Sequence, residues 1–304
     1  MMAELTADAF TTLCTHGPVR EQIATIETTR RRAVRRFWLV LLAGIGAAIV
    51  TGLLAGDALG GTVGSILFMV VLIGAFILAW SPLAAASEGI KHPALEALAA
   101  QGGMTYLPSG FDPPVLAEAR APLFGSWLSS AVFTDLFYGE DGDGRRFAFY
   151  EATLSRGSGK HRTQVFSGQV YAFQRRRTQS GSVVAVPDRG LFNFFKPSGG
   201  FVRVTLENAP DFEKKFELYA SQPHEATMLF GSMTLRALLL RLRESGRIFA
   251  YIGPEDVLVA ITGKNRFEPG SMFHSRAGEE RVRLMFDDVC ASLRILDELK
   301  ASLS

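Results

Sequence analysis

Two uninterrupted apolar runs stand near the start of the chain, FWLVLLAGIGAAIVTGLLA over 37–55 and TVGSILFMVVLIGAFILAW over 62–80. Neither contains a charged residue, and a helix rising 1.5 Å per residue makes each roughly 28 Å long, close to the thickness of a bilayer's hydrocarbon core. Joined by the link GDALGG, they predict an antiparallel transmembrane hairpin over 37–80. A cleavable signal peptide is the rival reading of the first run, but its apolar region would be shorter and would begin nearer the N-terminus. Ahead of the hairpin, Phe10, Leu13, Val19, Ile23 and Ile26 recur at roughly helical spacing and predict a helix within 1–36 that runs toward the first span.

After Trp80 the texture changes twice. Residues 81–103 read as a juxtamembrane linker, with a short helix from Pro93 to Gln101 closed by Gly102 and Gly103. Residues 104–304 read as one α+β domain. From Ala131, short runs of aromatic and β-branched residues alternate with turn signals, the pattern of antiparallel strands. AVFTDLFYG and RRFAFYEATL flank the turn EDGDG; TQVFSGQVYAF, SVVAVP, FVRVTL and FEKKFELYA follow, and RIFAYI and VLVAIT form a hairpin around GPED. Between them EATMLFGSMTLRALLLRLRE predicts one helix, its start marked by Ser221 and Pro223 and its end by Gly246. A last helix over about 278–303 keeps Val282, Met285, Val289, Leu296 and Leu299 on one face, which must cover the sheet. Many strands interrupted by one helix and closed by another predict a strongly curved sheet or a partly closed barrel.

Charge orients the hairpin. Arg30, Arg31, Arg32, Arg35 and Arg36 precede the first span, the link carries Asp57 and no basic residue, and Lys91 follows the second span. Basic flanks stay inside, so both termini and the α+β domain are expected in the cytoplasm of a bacterium, on its inner membrane, with Trp38 and Trp80 at the same interface. The five arginines are candidate contacts to anionic lipid. Gly44, Ala48, Gly52 and Gly56 recur every four residues and make a small-residue stripe for close packing against the second span or another copy of the chain. Neither span carries an ionisable residue, which argues against a transporter.

Composition narrows the chemistry further. At 304 residues the chain is 48% hydrophobic, and 32 Lys and Arg nearly cancel 30 Asp and Glu for a net charge of +2. That balance, with no known nucleic-acid module, argues against nucleic-acid binding. Cys14 and Cys290 form no closely spaced pair, and the five histidines at 16, 92, 161, 224 and 274 lack second ligands at useful spacing, so no disulfide framework, metal or cofactor is expected. EDGDG lacks the spaced oxygens and closing Glu of a calcium loop and reads as a solvated turn. SRGSGK, over 155–160, lacks the phosphate-loop spacing, and Ser167 is not in a nucleophile elbow, so no catalytic residue is assigned. Arg175, Arg176 and Arg177, with Lys160 and Arg162, form a basic cluster at strand ends: an exposed turn, or a contact with lipid headgroups. Beside them Phe192, Phe194, Phe195 and Phe201 crowd one short segment, to be packed inside or dipped into the interface.

The order of VFSGQVYAF, VAVPD, VTLENAPDFEKKFELYA, PHEATMLF, YIGPEDVLVAI and RFEPG resembles the bacterial membrane family catalogued as domain of unknown function 3137. Its most specific parts are Phe166 to Gly168, Asp211 to Tyr219 and Phe267 to Pro269. In that family the helix after the last of these strands usually opens with an acidic residue before its Glu-Ala pair, whereas Gln222, Pro223 and His224 precede Glu225 and Ala226 here. The resemblance implies the membrane anchor and domain order and no activity. These readings converge on a nonenzymatic, membrane-anchored binding or scaffold module, contacting a protein partner, another copy or the inner leaflet. The alternative is an enzyme whose site is assembled from scattered residues.

Overall fold

The computed structural model describes residues 10–11, 14, 18–125, 128–188, 197 and 200–303, so Leu13, His16, Phe192, Phe194 and Phe195 lie outside the described residues. The first two elements are much longer than the apolar runs. α1 spans Pro18–Leu59 and α2 spans Gly61–Gln101, both long and apolar enough to cross a membrane. The expected six-residue link is therefore helical on both sides, and Gly60 alone stands between, at the left-handed φ of 94° that glycine reaches without strain. The short helix expected at 93–101 is the last part of α2, which carries Pro82 and Pro93 inside it. Gly103 does close the helix: its N–H donates to Ala100 O and that of Met104 donates to Ala99 O, the paired bonds of a Schellman end.

The remaining elements run β1 (Thr105–Leu107), α3 (Leu116–Phe124), β2 (Ser130–Glu140), β3 (Arg146–Arg156), β4 (Thr163–Gln174), β5 (Val183–Pro187), β6 (Val202–Val204), α4 (Pro210–Glu213), β7 (Phe216–Ala220), α5 (Pro223–Gly231), α6 (Met233–Leu242), β8 (Ile248–Ile252), β9 (Asp256–Thr262) and α7 (Gly278–Ser302). The fold is α+β. All strands belong to one sheet of nine in the order β1-β2-β3-β4-β9-β8-β5-β7-β6, every neighbouring pair antiparallel. β1 and β6 are its two edges, and no pairing among the described residues joins them into the barrel that strand counting allowed.

Several elements depart from the sequence pattern. β1 and α3 are additional. The first half of FEKKFELYA is α4, where Pro210 supplies the helical φ and Glu213 accepts from the Leu206 N–H at 3.0 Å, leaving only Phe216–Ala220 extended. The long helix after it breaks at Ser232, whose extended backbone ends α5 and whose hydroxyl caps α6 by accepting from the Thr234 N–H. Ser221 serves the sheet instead, accepting from the Ser182 N–H at 2.8 Å.

The chain divides into two compact units, one built from Thr6–Leu98 with Phe267–Asp287, the other from Ala99–Arg266 with Asp288–Ser304. In the second unit α3 places Leu116, Ala119, Leu123 and Phe124 on one face of the sheet, in a core with Tyr150, Phe166, Phe249 and Leu258. On the other face Phe137, Phe149 and Tyr171 form a ring series at 4.9 and 6.4 Å. α7 covers that face, with the Lys300 ammonium 4.6 Å from the Phe147 ring centroid. Val282, Met285, Val289, Leu296 and Leu299 are all fully buried, as their spacing predicts.

The EDGDG turn is docked and not freely solvated. Asp141 accepts from the N–H groups of Asp143 and Arg145, both at 3.0 Å, and pairs with Lys300 at 3.0 Å, where both side chains are nearly buried. Burial raises the carboxyl's pKa, but the Lys300 ammonium and the two backbone donors outweigh it and hold the group at about 2. Because the folded value lies below the unfolded one, the pair stabilises the fold above the ordinary carboxylate range and loses its effect as pH falls through about 2. Asp141→Asn should therefore flatten the acid limb of the stability curve below about pH 4 while costing stability at neutral pH, measured by denaturant unfolding at a series of pH values. An unchanged acid limb would show that the pair is energetically idle.

Candidate functional site

The strands of the second unit create a hollow by the sizes of their inward side chains. Tyr138 of β2 lies opposite Ala148 of β3, Ala148 opposite Ala172 of β4, and Ala172 opposite Leu258 of β9. Side chains alternate across a strand, so these four share the α3 face of the sheet, and the two adjacent alanines leave its centre low. Two residues outward the same alternation sets a second row on that face: Glu140, Arg146, Gln174 and Asp256, at the ends of their strands. The opposite wall comes from the segment ahead of α3 and from its first turn, with Phe111, Asp112, Val115 and Glu118. The hollow, open to solvent on one side, measures about 600 Å³, inside the range of small-molecule sites, ≈ 300–1,000 Å³.

Backbone strain and electrostatics both concentrate here. Val115 has a φ of 62°, a conformation that costs a β-branched residue dearly. On β2 a bulge between Thr134 and Phe137 resets the alternation that aims Leu136 and Tyr138 into the hollow. Asp135 sits in that bulge at a φ of 56°, its N–H donating to Pro108 O and its buried carboxylate accepting from the Tyr106 hydroxyl at 2.7 Å. Burial, helped by nearby Glu255 and opposed by Arg146, raises the Asp256 carboxyl. Tyr150, two residues along β3 from Ala148 on the same face, is fully buried against Phe111, and its hydroxyl has no hydrogen-bond partner among the described residues. Burial first and the Asp112 carboxylate second raise its pKa.

Sequence reading passed over this site entirely. The segment 104–118 carries no periodic signal that reaches across to strands 30 to 150 positions away. A usable signal did exist: in FAFYEA and VYAF, alanines interrupt otherwise aromatic strands at inward positions.

The basic cluster expected around Arg175 does not assemble. Lys160 and Arg162 lie before the start of β4 and Arg175 to Arg177 beyond its end, and a strand of twelve residues separates the groups by about 40 Å. Arg175 is half-buried with its Nη1 donating to Gly253 O, Arg176 stands 3.5 Å from Asp143, and Arg177 is exposed.

In the other unit the arginines ahead of the first apolar run divide. Arg31, Arg32, Arg35 and Arg36 are exposed. Arg30 is not available to lipid: it is 7% exposed, its Nε and Nη2 donate to Glu27 at 2.8 and 2.7 Å, and its Nη1 donates to Met272 O. The i,i+3 spacing that pairs it with Glu27 was legible; its contact with position 272 was not. Arg30 belongs to a clasp that holds the segment after the last strand. Lys91 pairs with Glu268 at 2.8 Å, and the fully buried Arg281 donates to the carbonyls of Pro269, Gly270, Ser271 and His274. Burial first, then the neighbouring Arg30 charge, lowers the Arg281 pKa. The small-residue stripe faces α2. A side chain on Gly44 would strike Ala75, Ala48 is fully buried, Gly52 lies against Phe68, and a side chain on Gly64 would come within 2.7 Å of the Gly56 backbone.

Among the described residues no group of three or more His, Cys, Asp or Glu comes together in a form that could hold a metal ion. No curated protein matches the chain. Among solved structures it is similar to the crystal structure of the mycobacterial trehalose monomycolate transport factor A, TtfA, with 11% identity, 68% of this chain and 96% of that chain covered, and a TM-score of 0.34. Residues 164–301, from β4 into the last turns of α7, match the family described as Protein of unknown function (DUF3137). That match covers somewhat less than half of the chain, and over it the sequence is similar to this family of unknown function.

Proposed function

We propose that the protein is a membrane-anchored binding module, held in a bacterial inner membrane by α1 and α2, with both termini and the sheet on the cytoplasmic side. The observation that carries the reading is the outward face of the two helices. Leu53, Leu54 and Leu78 are 70%, 67% and 67% exposed, and only 11% and 17% of the residues in the most apolar stretches are buried. Helices of a soluble core bury such side chains; lipid leaves them exposed to itself. Orientation rests on the exposed Arg31, Arg32, Arg35 and Arg36 before the first span against Asp57 at the turn. Each basic residue held near an anionic leaflet adds about 1 kcal/mol of attraction.

Binding is favoured over catalysis by the hollow on the sheet, whose walls are mainly carbon. The acidic residues around it sit at its rim and bring no nucleophile with a base beside it. Topology is checked with a reporter active only outside the cytoplasm. Fused after Ser304 it should be silent, and inserted next to Asp57 it should be active. The opposite pattern would overturn the orientation, and recovery of the full chain in a soluble fraction would overturn the anchor.

A further inference from the structure

We infer that the hollow between α3 and the β2-β3-β4-β9 part of the sheet is a binding site for an organic cation with an apolar body, the body lying over Ala148 and Ala172 and the positive head at the acidic rim. The inference deepens the reading of this domain as a binding module and is independent of the membrane topology.

Three observations combine. The first is room: two facing alanines, flanked by Tyr138 and Leu258, leave a cavity of about 600 Å³ whose floor is apolar. An apolar floor without a ligand keeps hydrocarbon in contact with water, and a guest that covers it gains about 25 cal/mol for each Å² removed from solvent. The second is charge. Asp112, Glu118, Glu140 and Asp256 line the cavity against one cation, Arg146, and none of the four forms an ion pair among the described residues. Carboxylates beside a wall of low polarizability focus a negative potential into the opening, so a cationic guest is drawn in and an anionic one repelled. The third is incomplete satisfaction. Asp256, which lines the cavity, is partly buried and has its carboxyl raised by loss of water. A cationic head near Asp256 would repay part of that desolvation. An anionic lipid headgroup or a free phosphate has the wrong sign for this rim, which separates the site from the arginines near the apolar helices.

The test uses the full chain in lipid nanodiscs and three probes of similar size and shape: phenethylammonium, uncharged phenethyl alcohol and anionic phenylpropanoate. Saturation-transfer NMR titrations, corrected with empty nanodiscs, should give phenethylammonium a dissociation constant at least about tenfold below those of the other two. Glu118→Gln with Asp256→Asn should abolish that preference, and Ala172→Leu, which fills the floor without touching the rim, should remove binding of all three. Equal binding of the three probes, still lost in Ala172→Leu, would overturn the cationic class and leave the binding module standing. Acetyl-Phe-Arg-amide serves as a fourth ligand: its binding without binding of phenethylammonium would overturn the small cation in favour of a protein segment and keep the binding module. No binding of any of the four would overturn the site, while the membrane anchor is tested separately by the topology reporter.

Discussion

Ending the chain after Gly278 should leave a protein that does not hold its sheet. Within the sheet unit α7 buries Val289, Leu296 and Leu299 completely. At about 1.5–3 kcal/mol for each fully buried apolar side chain, their loss amounts to on the order of 4–9 kcal/mol, comparable to the whole stability of an ordinary domain. The uncovered rings of Phe149 and Tyr171 would then face water and seek other molecules. The truncated chain in nanodiscs should show accelerated proteolysis throughout 105–262 and associate on size-exclusion chromatography. Leu296→Ala with Leu299→Ala is the milder form, expected to cost about 2–5 kcal/mol at each site. A truncated chain with an unchanged digestion pattern would mean that the sheet is stable without its cover.

The second large effect is expected at Arg281, which is fully buried and whose Nη1 and Nη2 donate to four carbonyls between Pro269 and His274. Arg281→Met keeps the apolar stem and removes every donor. The Pro269 carbonyl is buried and would lose about 1–3 kcal/mol without a partner, while the three partly buried carbonyls can turn to water and lose less, so a loss on the order of 3–5 kcal/mol is expected. Arg281→Lys retains the charge but not the planar fork, and should recover only part of it. Trypsin cleavage after Arg276, in the segment these bonds organise, reports the change directly: slow in the parent, faster in the Lys variant and fastest in the Met variant. Equal rates in all three would show that the neighbouring contacts, Lys91 to Glu268 and Arg30 to Met272, hold the segment without Arg281.

These two regions differ in how far they could be foreseen. The buried face of α7 is a local property: 3.6-residue periodicity places five apolar side chains on one line, whatever lies beneath. The same holds for the apolar runs, the turns between β2 and β3 and between β8 and β9, and the Schellman end at Gly103. Where local reading failed, the reason was also local but finer than periodicity. Ser232 broke a continuous helical pattern by capping, Pro210 turned half of an expected strand into a helical turn, and the turn residues of GDALGG were absorbed by helices that their neighbours extended.

By itself, then, the sequence determined the α+β composition, the strand segments, the two long apolar helices and their small-residue stripe, because each rests on residues fewer than about ten apart. Only the tertiary structure decided which charges are free and which are spent. Arg30 became part of a clasp through position 272, Asp141 was taken by Lys300, and the supposed basic cluster separated to the two ends of β4. It also decided the candidate site, since the hollow depends on two alanines being opposed across neighbouring strands and on an acidic rim gathered from α3, β2, β9 and the segment before α3. Strand register and the path of a connecting segment follow from packing summed over the whole sheet, and no short window of sequence encodes them.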